Sequence, residues 1–230
     1  MEKIVIKISG ELFDTTNNLK SNNLKNVIEQ IKNLSQKYKI ALVVGAGNIF
    51  RGTQNSHNFG IKQETGDYAG MLATIINGLV LHEMLKNTGV KTKLLSALSC
   101  PEIADNITTE NISCAFDNNK IIIFVGGTGN PFFTTDTNAI LRALQIDAKL
   151  VLKGTKVAGI FDKDPAKNTD AKLIKTIDYK TVIEKNLQVM DLTAISLAHD
   201  KDIKIKIFNI FEKDSILQVL NDQNFGSTIS

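Results

Sequence analysis

Residues Ile121–Gly127 read IIIFVGG, five apolar residues followed by two glycines. A run that short and that apolar reads as a strand buried on both faces, and the glycine pair ends it. Burial on both faces implies parallel neighbours covered by helices. The same pattern recurs outward from this stretch. Upstream, Lys3–Ile8 ends at Ser9-Gly10, Ile40–Val44 ends at Gly45-Ala46-Gly47-Asn48, and Val90–Leu95 forms a further strand. Downstream, Ala148–Leu152 and Lys204–Asn209 are strands, and Leu173–Ile177 is a short edge strand. Helical spacing lies between them: Leu24, Val27, Ile28, Ile31 and Leu34; Asp136–Ile146; Thr181–Lys185; Leu192–Asp200; Lys213–Leu220. Tyr68–Lys86 is helical and apolar nearly all round, so it is buried on several sides or packs against another subunit. Thr15–Asn23 and Gly52–Gly66 read as mobile loops. The alternation predicts an α/β fold with a mainly parallel sheet and helices on both faces.

Composition narrows the class. The chain has 230 residues, 43% hydrophobic and 22% charged, which is ordinary for a globular protein of one large or two small domains. A net charge of +3 and only two arginines, Arg51 and Arg142, argue against nucleic acid as a partner. Cys100 and Cys114 lack metal or redox spacing and read as buried, reduced thiols. His57, His82 and His199 are read as structural. No stretch approaches the ~18 apolar residues of a membrane helix. MEKIVIKISG at the N-terminus reads as a strand rather than a signal peptide, so the expected location is the cytoplasm.

Ligands of parallel α/β proteins sit at the carboxyl ends of the strands. Three strand ends here carry small residues: Ser9-Gly10, Gly45–Asn48 and Gly126–Asn130. Glycine there lets backbone N–H groups approach phosphate oxygens. Two familiar phosphate motifs fail. A dinucleotide fingerprint from Gly45 would need glycine where Phe50 stands, and a Walker A loop from Gly47 would need lysine where Thr53 stands. The positive charge for a polyphosphate must come from elsewhere, and Lys7 and Arg51 are the candidates. Lys7 lies in an otherwise apolar strand, where a charge is costly unless it meets an opposite one.

KISGE at Lys7–Glu11 and GAGNIFRG at Gly45–Gly52 resemble the first two signatures of the amino acid kinase family. GTGNPFFTTD at Gly127–Asp136, GDYAGMLAT at Gly66–Thr74 and VMDL at Val189–Leu192 resemble its bacterial-type uridylate kinase branch. The resemblance is collinear from Lys3 onward. It implies an αβα sandwich with a central, mainly parallel sheet of about eight strands. It implies a single domain over 1–230, with UMP bound mainly by 1–150 and ATP mainly by 151–230. It implies transfer of the ATP γ-phosphate to UMP with Mg²⁺, a step of pyrimidine nucleotide biosynthesis. It also implies a homohexamer built as a trimer of dimers, with allosteric control among the branch's members.

The resemblance also assigns residues. Lys7 contacts the transferring phosphate, and Ile8, Ser9, Gly10 and Gly47 serve the ATP phosphates. Arg51 bridges donor and acceptor phosphates. Ala46 stands near the UMP phosphate where the family has glycine, and a positive φ there would cost about 1 kcal/mol. Asp67 binds the UMP ribose. Thr128, Gly129, Asn130, Pro131, Phe132, Phe133, Thr134 and Thr135 form the UMP loop, core packing being the other reading of the two phenylalanines. Asp136 orients catalytic groups, with a helix N-cap as its plain alternative. Asp191 carries a catalytic or a capping role. Thr155, Phe161 and Asp164 line the adenosine side, where Ala158 replaces the family's usual aspartate; Lys153 and Lys156 add charge nearby. No direct metal ligand is assigned. The competing readings are a sister kinase acting on carbamate or an amino acid, and a non-catalytic nucleotide-binding regulator.

Overall fold

The computed structural model describes residues 1–14, 18–185, 187 and 189–230, and not the side chains of 18–21. In chain order the elements are β1 (Glu2–Ile8), a 3₁₀ turn (Gly10–Phe13), α1 (Asn18–Leu34), β2 (Tyr38–Val44), α2 (Gly52–Phe59), α3 (Gln63–Lys86), β3 (Thr92–Ser96) and β4 (Asp105–Asn106). There follow α4 (Thr109–Asp117), β5 (Ile121–Val125), α5 (Thr135–Gln145), β6 (Leu150–Thr155), β7 (Ile160–Phe161), β8 (Leu173–Ile174) and β9 (Thr176–Ile177). The chain continues with α6 (Tyr179–Glu184), α7 (Leu192–Asp200), β10 (Lys204–Asn209), α8 (Ser215–Asn221) and β11 (Ser227–Ile229).

Nine strands form one sheet in the order β4-β3-β5-β2-β1-β6-β10-β11-β9, parallel throughout except for β10 against β11. β7 and β8 make a separate antiparallel pair. The apolar runs occupy the centre of the sheet because both of its faces are covered. Val5, Val43, Phe124 and Val151 point to one face, against Ala139, Ile140 and Ala143 of α5 and Ala194, Ile195 and Ala198 of α7. Ile4, Ile6, Ile8, Leu42 and Ile123 point to the other, against Val27 and Ile31 of α1, Leu81 and Leu85 of α3 and Ile216 of α8. The strand period of two thus sorts each strand's residues between two helical layers. This is the expected αβα sandwich with a mainly parallel central sheet.

Several expectations need correction. Asn18–Asn23 begin α1 rather than a loop, while the 15–17 part of that expectation lies outside the described residues. Gly52–Gly66 is not a loop: it holds α2, closed by Gly60 in the left-handed conformation, and the start of α3. The Leu173–Ile177 strand is two two-residue strands in different sheets. Cys100 is half-buried and Cys114 exposed, both free. α3 is long and apolar enough, by length and composition, to cross a membrane, contrary to the hydropathy reading. Its buried residues, among them Met71, Ile75, Leu81 and Leu85, pack into the protein core.

Candidate active site

The parallel register sets up the site. Lys7 on β1 pairs directly with Lys153 on β6, so two ammonium groups stand side by side on one face of the sheet. β1 is central, between β2 and β6, so Lys7 has no sheet edge at which to reach water. Two neighbouring cations require an anion, and the first turn of α5 supplies it. Lys7 Nζ lies 3.3 Å from Asp136 Oδ1 and Lys153 Nζ lies 2.6 Å from Asp136 Oδ2. Lys153 also donates to the carbonyl of Val189. Burial opposes the charge on Asp136, but the two lysines outweigh it and hold the carboxyl below its ordinary value. Burial is also the largest influence on Lys153 and pulls it below the usual lysine range, with Asp136 opposing.

Asp136 is not the helix cap. Thr134 caps α5, its hydroxyl oxygen accepting from the N–H groups of Asp136 and Thr137. The Thr134 hydroxyl itself donates to Asp191, as does Thr137 at 2.7 Å. Asp191 is the N-cap of α7, accepting from Ala194 N–H at 3.0 Å. One carboxylate therefore ties the N-termini of two helices together, and both helices direct their positive ends toward the lysine pair's neighbourhood.

Two cavities flank this cluster. One of about 260 Å³ is bounded by Ala46, Gly47, Arg51, Asp67, Gly127, Asn130, Phe133, Thr134 and Thr135. The other, about 590 Å³, is bounded by Lys153, Thr155, Phe161 and Asp164 together with Ile160 and Val189. A further cavity of about 420 Å³, beside Tyr179, His199 and Ile203, contains none of the candidate residues. The turns after β1 and β2 touch. A Cβ on Gly10 would lie 2.8 Å from the Gly45 carbonyl and 2.8 Å from Gly47 N, so only glycine fits there. Gly45 N–H donates to the Ile8 carbonyl, and Ser9 accepts from Glu11 N–H to open the 3₁₀ turn. Ala46 is buried and avoids positive φ, so its Cβ carries no strain.

Arg51 stands before α2, its Nε donating to the Gly47 carbonyl at 3.1 Å and its Nη2 to Glu11 at 3.0 Å. Lys156 reaches the same Glu11 oxygen at 3.0 Å. Glu11 lies below its ordinary value: burial opposes its charge, and Lys156 and Arg51 outweigh that. Asp67 Oδ2 accepts from Phe132 N–H at 2.9 Å. Phe132 holds a left-handed φ of 70° and is 69% exposed, and Phe133 is 51% exposed, so neither is core. Thr128, Gly129, Pro131 and Phe132 are not among the residues bounding the smaller cavity. Asp164 accepts from Ala166 N–H and so also shapes its own turn.

The sequence pattern of the amino acid kinase family matches residues 2–209. The chain belongs to this family. Among its relatives, the uridylate kinase of Mycoplasmoides gallisepticum is 44% identical, over 99% of this chain and 98% of that protein. The uridylate kinase of Fervidobacterium nodosum is 38% identical over 99% and 97%. The crystal structure of UMP kinase from Ureaplasma parvum superposes with a TM-score of 0.93 at 35% identity, covering 100% of this chain and 98% of that one.

Two residues of the site carry more than the sequence indicates: Lys153, which sequence credits only with nearby charge, completes the Lys7–Asp136 cluster, and Glu11, which has no role in sequence, joins Arg51 to Lys156. A signal for Lys153 existed: like Lys7, it is a lysine in an apolar strand, and a glycine follows it directly. Its pairing with Lys7 depends on β1 joining β6, strands far apart in the chain, which no local pattern encodes.

Proposed function

We propose that this protein is a uridylate kinase that transfers the γ-phosphate of MgATP to UMP, giving ADP and UDP. The observation that carries this reading is the Lys7–Asp136–Lys153 cluster, whose Lys153 bounds the larger cavity while Thr134 and Thr135, next to Asp136, bound the smaller. Phosphoryl transfer needs in-line positioning of donor and acceptor and neutralised equatorial oxygens rather than covalent help. Lys7 and Lys153 supply that positive charge, and Asp136 fixes where they stand. UMP occupies the smaller cavity with its ribose toward Asp67 and its phosphate toward Ala46 and Arg51. ATP occupies the larger, its adenosine between Thr155, Phe161 and Asp164 and its phosphates over Ser9, Gly10 and Gly47. Arg51 and Lys156 exchange Glu11 for phosphate oxygens.

The Mg²⁺ of MgATP arrives on the nucleotide phosphates, as suits an ion that keeps most of its waters. The chain acts as one domain, with the UMP side drawn from 46–135 and the adenosine side from 153–207. It works in the cytoplasm. It self-associates through α3, whose Leu72, Ile76, Leu79 and Val80 are 43–55% exposed and form an apolar stripe. The full assembly is a hexamer of three such dimers.

The test is ADP release from MgATP with UMP, CMP, carbamate, aspartate or no acceptor. Release with UMP is the expected result. Release only with carbamate or aspartate, or none in a folded protein that binds ATP, would overturn the reading.

A further inference from the structure

Arg142, in the last turn of α5, is 3% exposed. Among the described residues no carboxylate pairs with it, and burial alone pulls the guanidinium down to about 10. A buried cation without a counter-ion is costly, and leucine or methionine would fill the same volume more cheaply. Its donors show what it does instead. Nη2 donates to the Gly127 carbonyl at 3.0 Å and Nη1 donates to Gln145 Oε1 at 2.5 Å. The guanidinium lies over the Phe124 ring, 5.4 Å from its centre, on the strand that runs into the Gly126 turn. Nε is buried without a partner.

The carbonyl it holds belongs to unusual backbone. Gly126, Gly127, Gly129 and Phe132 have φ of 75°, 59°, 82° and 70°. The three glycines take these values without strain and leave the backbone many other shapes, so one shape is held only where contacts fix it. Three contacts from outside do so: Gly126 N–H donates to Thr74 Oγ1, Phe132 N–H to Asp67, and Arg142 to the Gly127 carbonyl. Thr74 and Asp67 accept from the loop's N–H groups, whereas Arg142 is the one charged donor of the three, and its planar fork sets direction as well as distance.

We propose that Arg142 is a positioning residue for the acceptor: it holds the 126–135 loop in its UMP-binding shape through the Gly127 carbonyl without touching substrate. The inference rests on the assignment of that loop to UMP.

The experiment is steady-state kinetics and thermal unfolding of Arg142→Met, Arg142→Lys and Asn130→Ala in the full chain. Losing one charge-assisted hydrogen bond should raise the UMP KM of Arg142→Met about tenfold, with kcat within about threefold and the ATP KM unchanged. Arg142→Lys keeps a charged donor and should recover part of that loss. A lowered Tm with both KM values unchanged would make the residue merely structural and overturn the proposal. Should Arg142→Met fail to fold, Arg142→Lys decides, and a wild-type UMP KM there overturns it. A raised UMP KM in Asn130→Ala beside unchanged Arg142 variants overturns it too, leaving the loop assignment standing. No change in any of the three removes the loop assignment and the proposal with it.

Discussion

At the residue scale, one carboxylate organises the centre of the site. Asp136 separates two lysines that the sheet register forces together, so its removal leaves them unbalanced. Asp136→Asn should cost about 3 kcal/mol at neutral pH, the scale of breaking a buried pair. The pH dependence follows from its lowered value. A carboxyl depressed on folding stabilises above its unfolded value of about 3.9, and that contribution is lost as pH falls through the folded value. Urea unfolding of wild type and variant should therefore differ by a constant amount from pH 7 to about pH 4 and converge below it. A gap that closed between pH 7 and 5 would contradict the assignment. Asp67→Asn should raise the UMP KM well above any change in the ATP KM, because Asp67 lies in the smaller cavity and not the larger. Equal shifts would remove the ribose role. Lys7 and Arg51 were legible because each breaks a local rule, a charge in an apolar strand or a rare arginine beside glycines, whereas Asp136 came from the family resemblance alone, since an aspartate opening a helix breaks none. Glu11 broke none: a glutamate at a turn is unremarked until Arg51 and Lys156 are seen to converge on it.

At the element scale, the loop before α5 joins a left-handed residue to a carboxylate of the smaller cavity. Phe132 spends a left-handed backbone to aim its N–H at Asp67, and its ring is exposed. Asn tolerates that conformation better than Phe. Phe132→Asn should leave Tm unchanged or higher while raising the UMP KM. A core phenylalanine would instead lose about 3 kcal/mol on truncation, seen as a large fall in Tm. The long central elements were readable because burial on two faces leaves uninterrupted apolar runs, as in Ile121–Val125 and Ile40–Val44. α2 was not, since GTQNSHNF has little apolar spacing and no side-chain cap. β4, β7, β8 and β9 have two residues each, too few for any period to show. β11 joins β10 antiparallel, and that pairing depends on tertiary contact rather than on its three residues.

At the scale of the whole molecule, the alternation of strand and helix encoded the layers but not the strand order. That order places β1 between β2 and β6, and so brings the early lysine beside the later one. The same scale holds the question of assembly. Four apolar side chains on the outer face of α3 are exposed in the single chain, which favours their burial against a second copy. Ile76→Glu should shift sedimentation toward smaller species at micromolar concentration, and an unchanged profile would remove α3 from the interface. The central claim is that Lys7, paired with Asp136, stabilises the phosphoryl group in flight from MgATP to UMP. Its most direct test is UDP formation in a single turnover at saturating UMP and MgATP, wild type against Lys7→Ala. The account predicts UDP from the wild type and a rate about 10²–10³-fold lower in the variant, as for loss of one preorganised donor to the transition state. An equal rate in both, or no UDP from the wild type, would contradict it.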